Sequence, residues 1–228
     1  MGAVSLKASV RYSAVMSIRP AFARDPATAR YYEQRASEYD DWYCGRGVFA
    51  ERDRPGWEEE VARVVDLVQG LRPARTLDAA CGTGYLTRHL SGFVVGLDQS
   101  PSMAAITQSR LPGGLAVTGD ALRLPFVDGA FDRVFSAHFY GHLPTDERTA
   151  FLAEARRVAP ELVVVDTAER PHQAAERWEE RVLNDGSRHR VYKRYLSAQK
   201  LALELGGTPL LAGRWFVAAR VEWPSRIS

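Results

Sequence analysis

Short apolar runs alternate along this chain with segments whose apolar positions recur at helical spacing. The runs fall near 75–79, 93–98, 115–119, 131–137 and 161–167, mostly bounded by glycine, proline or an acidic residue. Helical segments are predicted over 84–90, 101–111, 145–159 and 197–206. Strands alternating with helices are the pattern of an α/β unit with a mostly parallel sheet. Ser100-Pro101 reads as a cap with a first-turn proline, and Thr145-Asp146-Glu147 places a cap and acidic residues at another helix start. Leu210-Leu211 and Trp215 to Val221 read as two closing strands in hairpin relation.

Ahead of the sheet unit, Asp25 to Tyr43 reads as one helix, with Asp25 as cap, Pro26 at the first position and Glu33 and Glu38 outward. Gly45 and Gly47 end it, and Arg54-Pro55-Gly56 introduces a second helix from Trp57 to Gln69. That helix carries Val61, Val64, Val65 and Val68 as an apolar stripe. Residues 1–22 read as a weakly ordered extension in which Met16 is a candidate start. The rest, 23–228, is expected to be one domain. Its parts are a helical lid over 25–70, a sheet core over 71–167, a lid insert over 168–196, and a closing helix and hairpin over 197–228.

The chemistry concentrates between Thr76 and Asp98. An apolar run ends at Asp78 and enters a tight turn, Ala80-Cys81-Gly82-Thr83-Gly84; the next run ends in Asp98, 20 positions after Asp78. Strand, glycine turn, helix, strand with a terminal carboxylate is how an open α/β sheet binds an adenosine-containing cofactor. Glycines 82 and 84 allow positive backbone angles and close ligand approach. Asp98 is placed to accept from ribose hydroxyls. A pyrophosphate needs N–H groups without a competing anion, whereas a carboxylate at the mouth of the turn suits the ammonium and sulfonium side of S-adenosylmethionine. Asp78 therefore favours that donor over NAD. Downstream, Asp120 follows the third run as a candidate acceptor for the adenine amino group, with Ala121 and Leu122 against the ring. Gln99, Met103 and Ala137 complete the expected cofactor-binding set.

On these residues the chain resembles the class I S-adenosylmethionine-dependent methyltransferases, specifically their small-molecule branch with a DxxCGTG turn. The resemblance runs from about Tyr31 to the C-terminus. It implies a Rossmann-like open sheet of about seven strands, mostly parallel with a C-terminal antiparallel strand, and helices on both faces. Ala80 departs from the family, many of whose members have a glycine there.

Methyl transfer requires in-line alignment and exclusion of water, with a general base only for some nucleophiles. The candidates follow the fourth strand in Ala137 to Leu143: His138 or His142 as base and Tyr140 to orient a substrate. The two histidines stand four apart, but Gly141 and Pro144 oppose a continuous helix, so no metal site is expected. Tyr31, Tyr32, Tyr39, Trp42 and Tyr43 are dense enough to form a lid over an organic ligand, with Tyr31, Tyr39, Trp42 and Tyr43 as the expected contacts. In the long insert, Asn184-Asp185-Gly186 reads as a turn, and the basic stretch of Arg188, His189, Arg190, Lys193 and Arg194 suits a carboxylated or phosphorylated substrate, with Arg190 as the expected contact.

Composition adds bounds. The 228 residues, 46% hydrophobic, are enough for one α/β core. A net charge of +2 is too small to imply a nucleic-acid partner. No apolar run approaches the roughly 20 residues of a membrane span. Two cysteines, Cys44 and Cys81, suggest a reducing, cytoplasmic setting. The expected function is methyl transfer to a small molecule. A donor-binding relative that catalyses another reaction or regulates a partner, and a nicotinamide-dependent oxidoreductase, are the alternatives. Oligomeric state is not readable from the chain.

Overall fold

A computed structural model describes residues 22–224; the expectations for 1–21, including the start at Met16, lie outside the described residues. Among the described residues the strands are β1 (Ala74–Ala79), β2 (Gly92–Asp98), β3 (Leu115–Thr118), β4 (Arg133–Ala137), β5 (Glu161–Thr167), β6 (Glu176–Val182), β7 (Arg188–Arg194), β8 (Thr208–Ala212) and β9 (Phe216–Glu222). Seven of them form one sheet in the order β3-β2-β1-β4-β5-β9-β8. β1 through β5 run parallel, and β9 runs antiparallel to β5 and to β8. The expected seven-stranded sheet with a reversed strand near its C-terminus is therefore present. Strand order reverses between β1 and β4, and such switch points open a crevice at the carboxyl ends of the strands.

Burial follows the runs in the sequence. Every residue of β5 is buried, as a strand covered on both faces requires, while β3 at the sheet edge is largely exposed. The helices are α1 (Pro26–Arg35), α2 (Asp41–Cys44), α3 (Trp57–Gln69), α4 (Pro101–Arg110), α5 (Thr145–Val158) and α6 (Ala198–Leu205). On one face, Val61, Val64 and Val68 of α3 pack with Val163, Val165 and Phe135. On the other, Phe151, Ala155 and Val158 of α5 and Leu201 of α6 pack with Leu77, Leu162 and Val164. Fully buried valines such as Val64 and Val68 contribute about 2 kcal/mol each. α3 thus belongs to the sheet core, not to a lid as the 25–70 boundary implies.

Further expectations change. The helix expected over 25–43 breaks after Arg35 into a 3-10 turn at Ala36–Glu38 and the four-residue α2. Ser37, Asp40 and Asp41 favour such local turns over a continuous helix. Glu33 faces inward, accepting from the hydroxyls of Ser100 and Ser102 at 2.5 Å each. The helix expected over 84–90 is only a 3-10 turn at Thr87–His89, because Gly84 takes a φ of +74° and Thr87 donates its hydroxyl to Asp78. The insert is an antiparallel hairpin of β6 and β7, with Asn184-Asp185-Gly186 as its turn. Finally, Phe22 is core rather than extension: it is buried, and the N–H groups of Phe22 and Ala23 donate to Glu147 of α5.

Candidate active site

The turn after β1 is built by three residues with positive φ, Ala80 (63°), Gly82 (56°) and Gly84 (74°). A side chain added at Gly82 would meet the Tyr39 ring at 3.4 Å, and one at Gly84 would meet the Thr107 hydroxyl at 2.9 Å. Gly82 therefore keeps the crevice open, whereas Gly84 lets the turn dock on α4. At the end of β2, Asp98 accepts from the N–H groups of Gly82 and Ser100, each at 2.9 Å. Burial raises its pKa to about 6 against the pull of those two bonds. After β3, Asp120 accepts from the Leu122 N–H through one oxygen, at 2.8 Å.

These carboxylates stand in a narrow cleft of about 50 Å³ at the carboxyl ends of β1 to β4. Of the residues singled out in the sequence, Ala80, Gly82, Asp98, Gln99, Met103, Asp120, Ala121 and Ala137 line it, joined by Tyr39 and His138. Five do not. Asp78 is buried beneath the turn, one carboxyl oxygen accepting from Thr87 and the other without a partner, and burial pushes its pKa up to about 7. The Cys81 thiol points to the Gly82 carbonyl and Thr107, behind the turn. The Thr83 hydroxyl donates to Asp40 at 2.5 Å, Gly84 abuts α4, and Leu122 packs into the core. Tyr32 of the aromatic lid segment also walls the cleft, with Phe22 and Phe139, which sequence reading missed.

A second cavity of about 430 Å³ adjoins the first and shares Tyr32, Tyr39 and His138 with it. Trp42 and His142 line it as well. His138 takes a φ of 57° on a backbone N–H donated to Val165, which aims the ring between the cavities against Trp42, at 4.8 Å between centroids. Both His138 ring nitrogens are buried without a hydrogen-bond partner, and burial lowers its pKa to about 4. His142 stacks on Phe22, and its Nδ1 lies 2.6 Å from the Tyr192 carbonyl. A carbonyl only accepts, so Nδ1 carries the proton and Nε2 is the basic nitrogen. Burial depresses the His142 pKa as well. Neither ring is a strong base at neutral pH.

Other expected substrate contacts fall elsewhere. Tyr140 is buried, its hydroxyl donating to Glu204 at 3.0 Å, and it lines neither cavity. Tyr31 is buried with its hydroxyl accepting from Arg35, and Tyr43 stacks on Tyr85 at 3.9 Å. Arg190 is exposed beside Trp178 on the outer face of the hairpin. The hairpin instead turns Arg177, Glu179, Arg181 and Lys193 into the second cavity. The alternation of ERWEERV held that signal, since side chains of a strand face opposite sides in turn.

The reversed β9 distinguishes this sheet from an all-parallel dinucleotide binder. With carboxylates closing β2 and following β3, the sheet has the layout of the class I S-adenosylmethionine-dependent methyltransferases. Residues 77–161 match the methyltransferase-domain family Methyltransf_11. The chain is similar to a demethylmenaquinone methyltransferase of Thermotoga maritima, 39% identical over 103 residues, 42% of this chain and 43% of that protein. It thus spans less than half the length of that relative. It is also similar to a structure described as a DhpI-SAH complex, with TM-score 0.67 and 27% identity, covering 87% of this chain and 96% of that one. A DhpI-SAM-HEP complex matches with the same score and identity, over 85% and 95% of the two chains.

The chemistry of the residues around the cleft suits this cofactor. It offers acceptor oxygens at the ends of two adjacent strands, a glycine where a side chain would obstruct, and apolar walls at Leu97 and Met103. Among the described residues no helix is long and apolar enough to cross a membrane.

Proposed function

We propose that the protein transfers a methyl group from S-adenosylmethionine, held in the first cleft, to a small-molecule acceptor held in the second cavity. The observation that carries this reading is the meeting of two unlike cavities at His138, Tyr32 and Tyr39. When bound, the cofactor supplies a methyl group already activated by its sulfonium. Asp98 accepts hydrogen bonds from the ribose hydroxyls, and Asp120 accepts from the adenine amino group through its free oxygen. Gly82 and Ala80 admit the cofactor against the main chain, and Met103 covers the ring. Tyr32, Tyr39 and Trp42 exclude water and hold the acceptor in line, which is where most of the rate enhancement in such a reaction arises. His138 orients the acceptor as a neutral ring.

Residues 22–224 act as one domain, with α1, α2 and the β6–β7 hairpin as the substrate-facing parts. Asn184 of the hairpin turn ties the two together, its N–H donating to Glu38 at 2.9 Å and its amide to Asp41 at 3.2 Å. A second cavity of about 430 Å³ suits a small molecule rather than nucleic acid. Two free cysteines accord with the reducing cytoplasm.

Isothermal titration with S-adenosylmethionine and with NAD tests the donor assignment; tight binding of NAD alone would reverse it. Incubation with labelled donor and a metabolite extract, followed by identification of the labelled product, tests the transfer. Tight donor binding with no labelled product from any extract would favour the donor-binding relative over the enzyme.

A further inference from the structure

The second cavity is strongly cationic, and its charge is poorly matched by the protein's own carboxylates. Arg35, Arg52, Arg54 and Arg170 line it, and among the described residues none of the four forms an ion pair. Each guanidinium instead lies over an aromatic ring: Arg35 on Tyr39 at 4.8 Å, Arg52 on Phe49 at 4.6 Å, Arg54 on Trp57 at 4.0 Å and Arg170 on Trp215 at 4.2 Å. Stacking fixes the planes; Arg35 and Arg54 each give one N–H to the protein, on the Tyr31 hydroxyl and the Trp42 carbonyl, and their remaining N–H groups, with those of Arg52 and Arg170, are left for another partner. The Arg170 Nε is buried with no acceptor. Arg177 and Arg181 share the single carboxylate of Glu179, at 2.7 and 2.5 Å, and Lys193 is held by buried Asp166 at 2.6 Å. Asp53 is the remaining acid on the wall.

Like charges gathered in one cavity repel one another: burial first, and then repulsion from neighbouring guanidinium groups, lowers the pKa of Arg52, Arg54 and Arg170. A neutral or cationic acceptor leaves that repulsion in place. A small polyanion removes it and fills the guanidinium edges with charge-assisted bonds.

Resting on the methyltransferase reading above, we infer that the acceptor is a small organic polyanion bearing a phosphoryl, phosphonyl or carboxyl oxyanion, methylated on one of its ionised oxygens. That oxygen's lone pair forms the new O–C bond. The C–S pair stays with sulfur, which leaves as a neutral thioether, and the acceptor loses one negative charge. No proton moves, so no general base is required, in keeping with two histidines that are both weak bases. The arginines select and align the oxyanion while His138 borders the path between the cavities.

The test begins with isothermal titration of S-adenosylhomocysteine. Into that complex, methylphosphonate, glycerol 3-phosphate and succinate are titrated, each beside its neutral ester or alcohol, with cadaverine as the cationic probe. At least one anion is expected to bind tenfold or more tightly than its neutral counterpart, and the preferred head group separates phosphorus from carboxyl acceptors. Arg52→Gln and Arg170→Gln are each expected to weaken that binding about tenfold, the loss of one charge-assisted contact, with the S-adenosylhomocysteine affinity unchanged. With labelled donor, mass spectrometry should place the methyl on a formerly ionised oxygen. If S-adenosylhomocysteine binds but no anion does at roughly 10 mM, or neutral or cationic probes bind equally well, the polyanion assignment fails while the methyltransferase reading stands. Label on nitrogen, carbon or an alcohol oxygen overturns the acceptor atom. Failure of S-adenosylhomocysteine itself to bind overturns the reading beneath both.

Discussion

Replacing Asp98 by asparagine tests the donor cleft where fold and binding meet. The carboxylate accepts from Gly82 and Ser100 at 2.9 Å each, and its outer lone pairs face the cleft. Asparagine keeps one acceptor oxygen and turns the other into a donor, so at least one charge-assisted bond to the ribose hydroxyls is lost. Such bonds contribute about 1.5–3 kcal/mol, which corresponds to roughly 10- to 150-fold weaker binding of S-adenosylhomocysteine. The pH dependence gives a second readout. With a pKa raised to about 6, Asp98 is partly protonated in the free protein just below neutrality, whereas the bound ribose favours the ionised form. Binding therefore releases a proton near pH 6, and wild-type affinity falls about tenfold for each pH unit below that value. Asp78 titrates in both proteins, so the difference between their profiles isolates Asp98. Titration calorimetry from about pH 5 to 8, with thermal melts to confirm folding, supplies the measurement. A variant that binds within twofold of wild type, or one with the same slope below pH 6, refutes the assignment.

Ala80→Gly is expected to stabilise the protein. A left-handed φ of 63° costs an L-residue about 1–2 kcal/mol, against about 0.5–1 kcal/mol for glycine's greater freedom when unfolded, so a net gain approaching 1 kcal/mol should appear in urea denaturation. Lys193→Met leaves Asp166 buried and unpaired and should cost about 3–5 kcal/mol; the double variant with Asp166→Asn should recover part of it in the same denaturation assay. Tyr140→Phe removes only the bond to Glu204, so a stability loss of about 0.5–1.5 kcal/mol is expected with kcat and S-adenosylhomocysteine affinity unchanged. A tenfold fall in kcat at unchanged Tm would return Tyr140 to the catalytic set.

The sheet was legible in the chain because its strands are covered on both faces and read as plain apolar runs, as ELVVVDT does for β5. The proposed cofactor cleft was legible for a related reason. At a switch point the ligand meets strand ends, so Asp98, Asp120 and Gly82 sit at positions that the runs themselves locate. The acceptor side depends on phase, which composition does not carry. Tyr31 and Tyr32 are neighbours in an aromatic-rich segment, but one residue turns a helix by about 100°, and that step sends Tyr31 into the core and Tyr32 into both cavities. In the insert the period is two. The basic stretch drew notice to Arg190, yet its pairing with Glu180 places it on the face away from Arg177, Arg181 and Lys193. The register Arg177↔Lys193 and Arg181↔His189 puts one alternate set of residues inward from both strands. Once the insert is recognised as a hairpin, the R-x-E-x-R of β6 becomes the informative motif: three ionic side chains on one face, two cations to one acid, directed at the cavity. Asp78 is a case between the two: its place at the end of β1 locates the turn, but its carboxylate lies beneath the turn, with one oxygen held by Thr87 and the other buried without a partner.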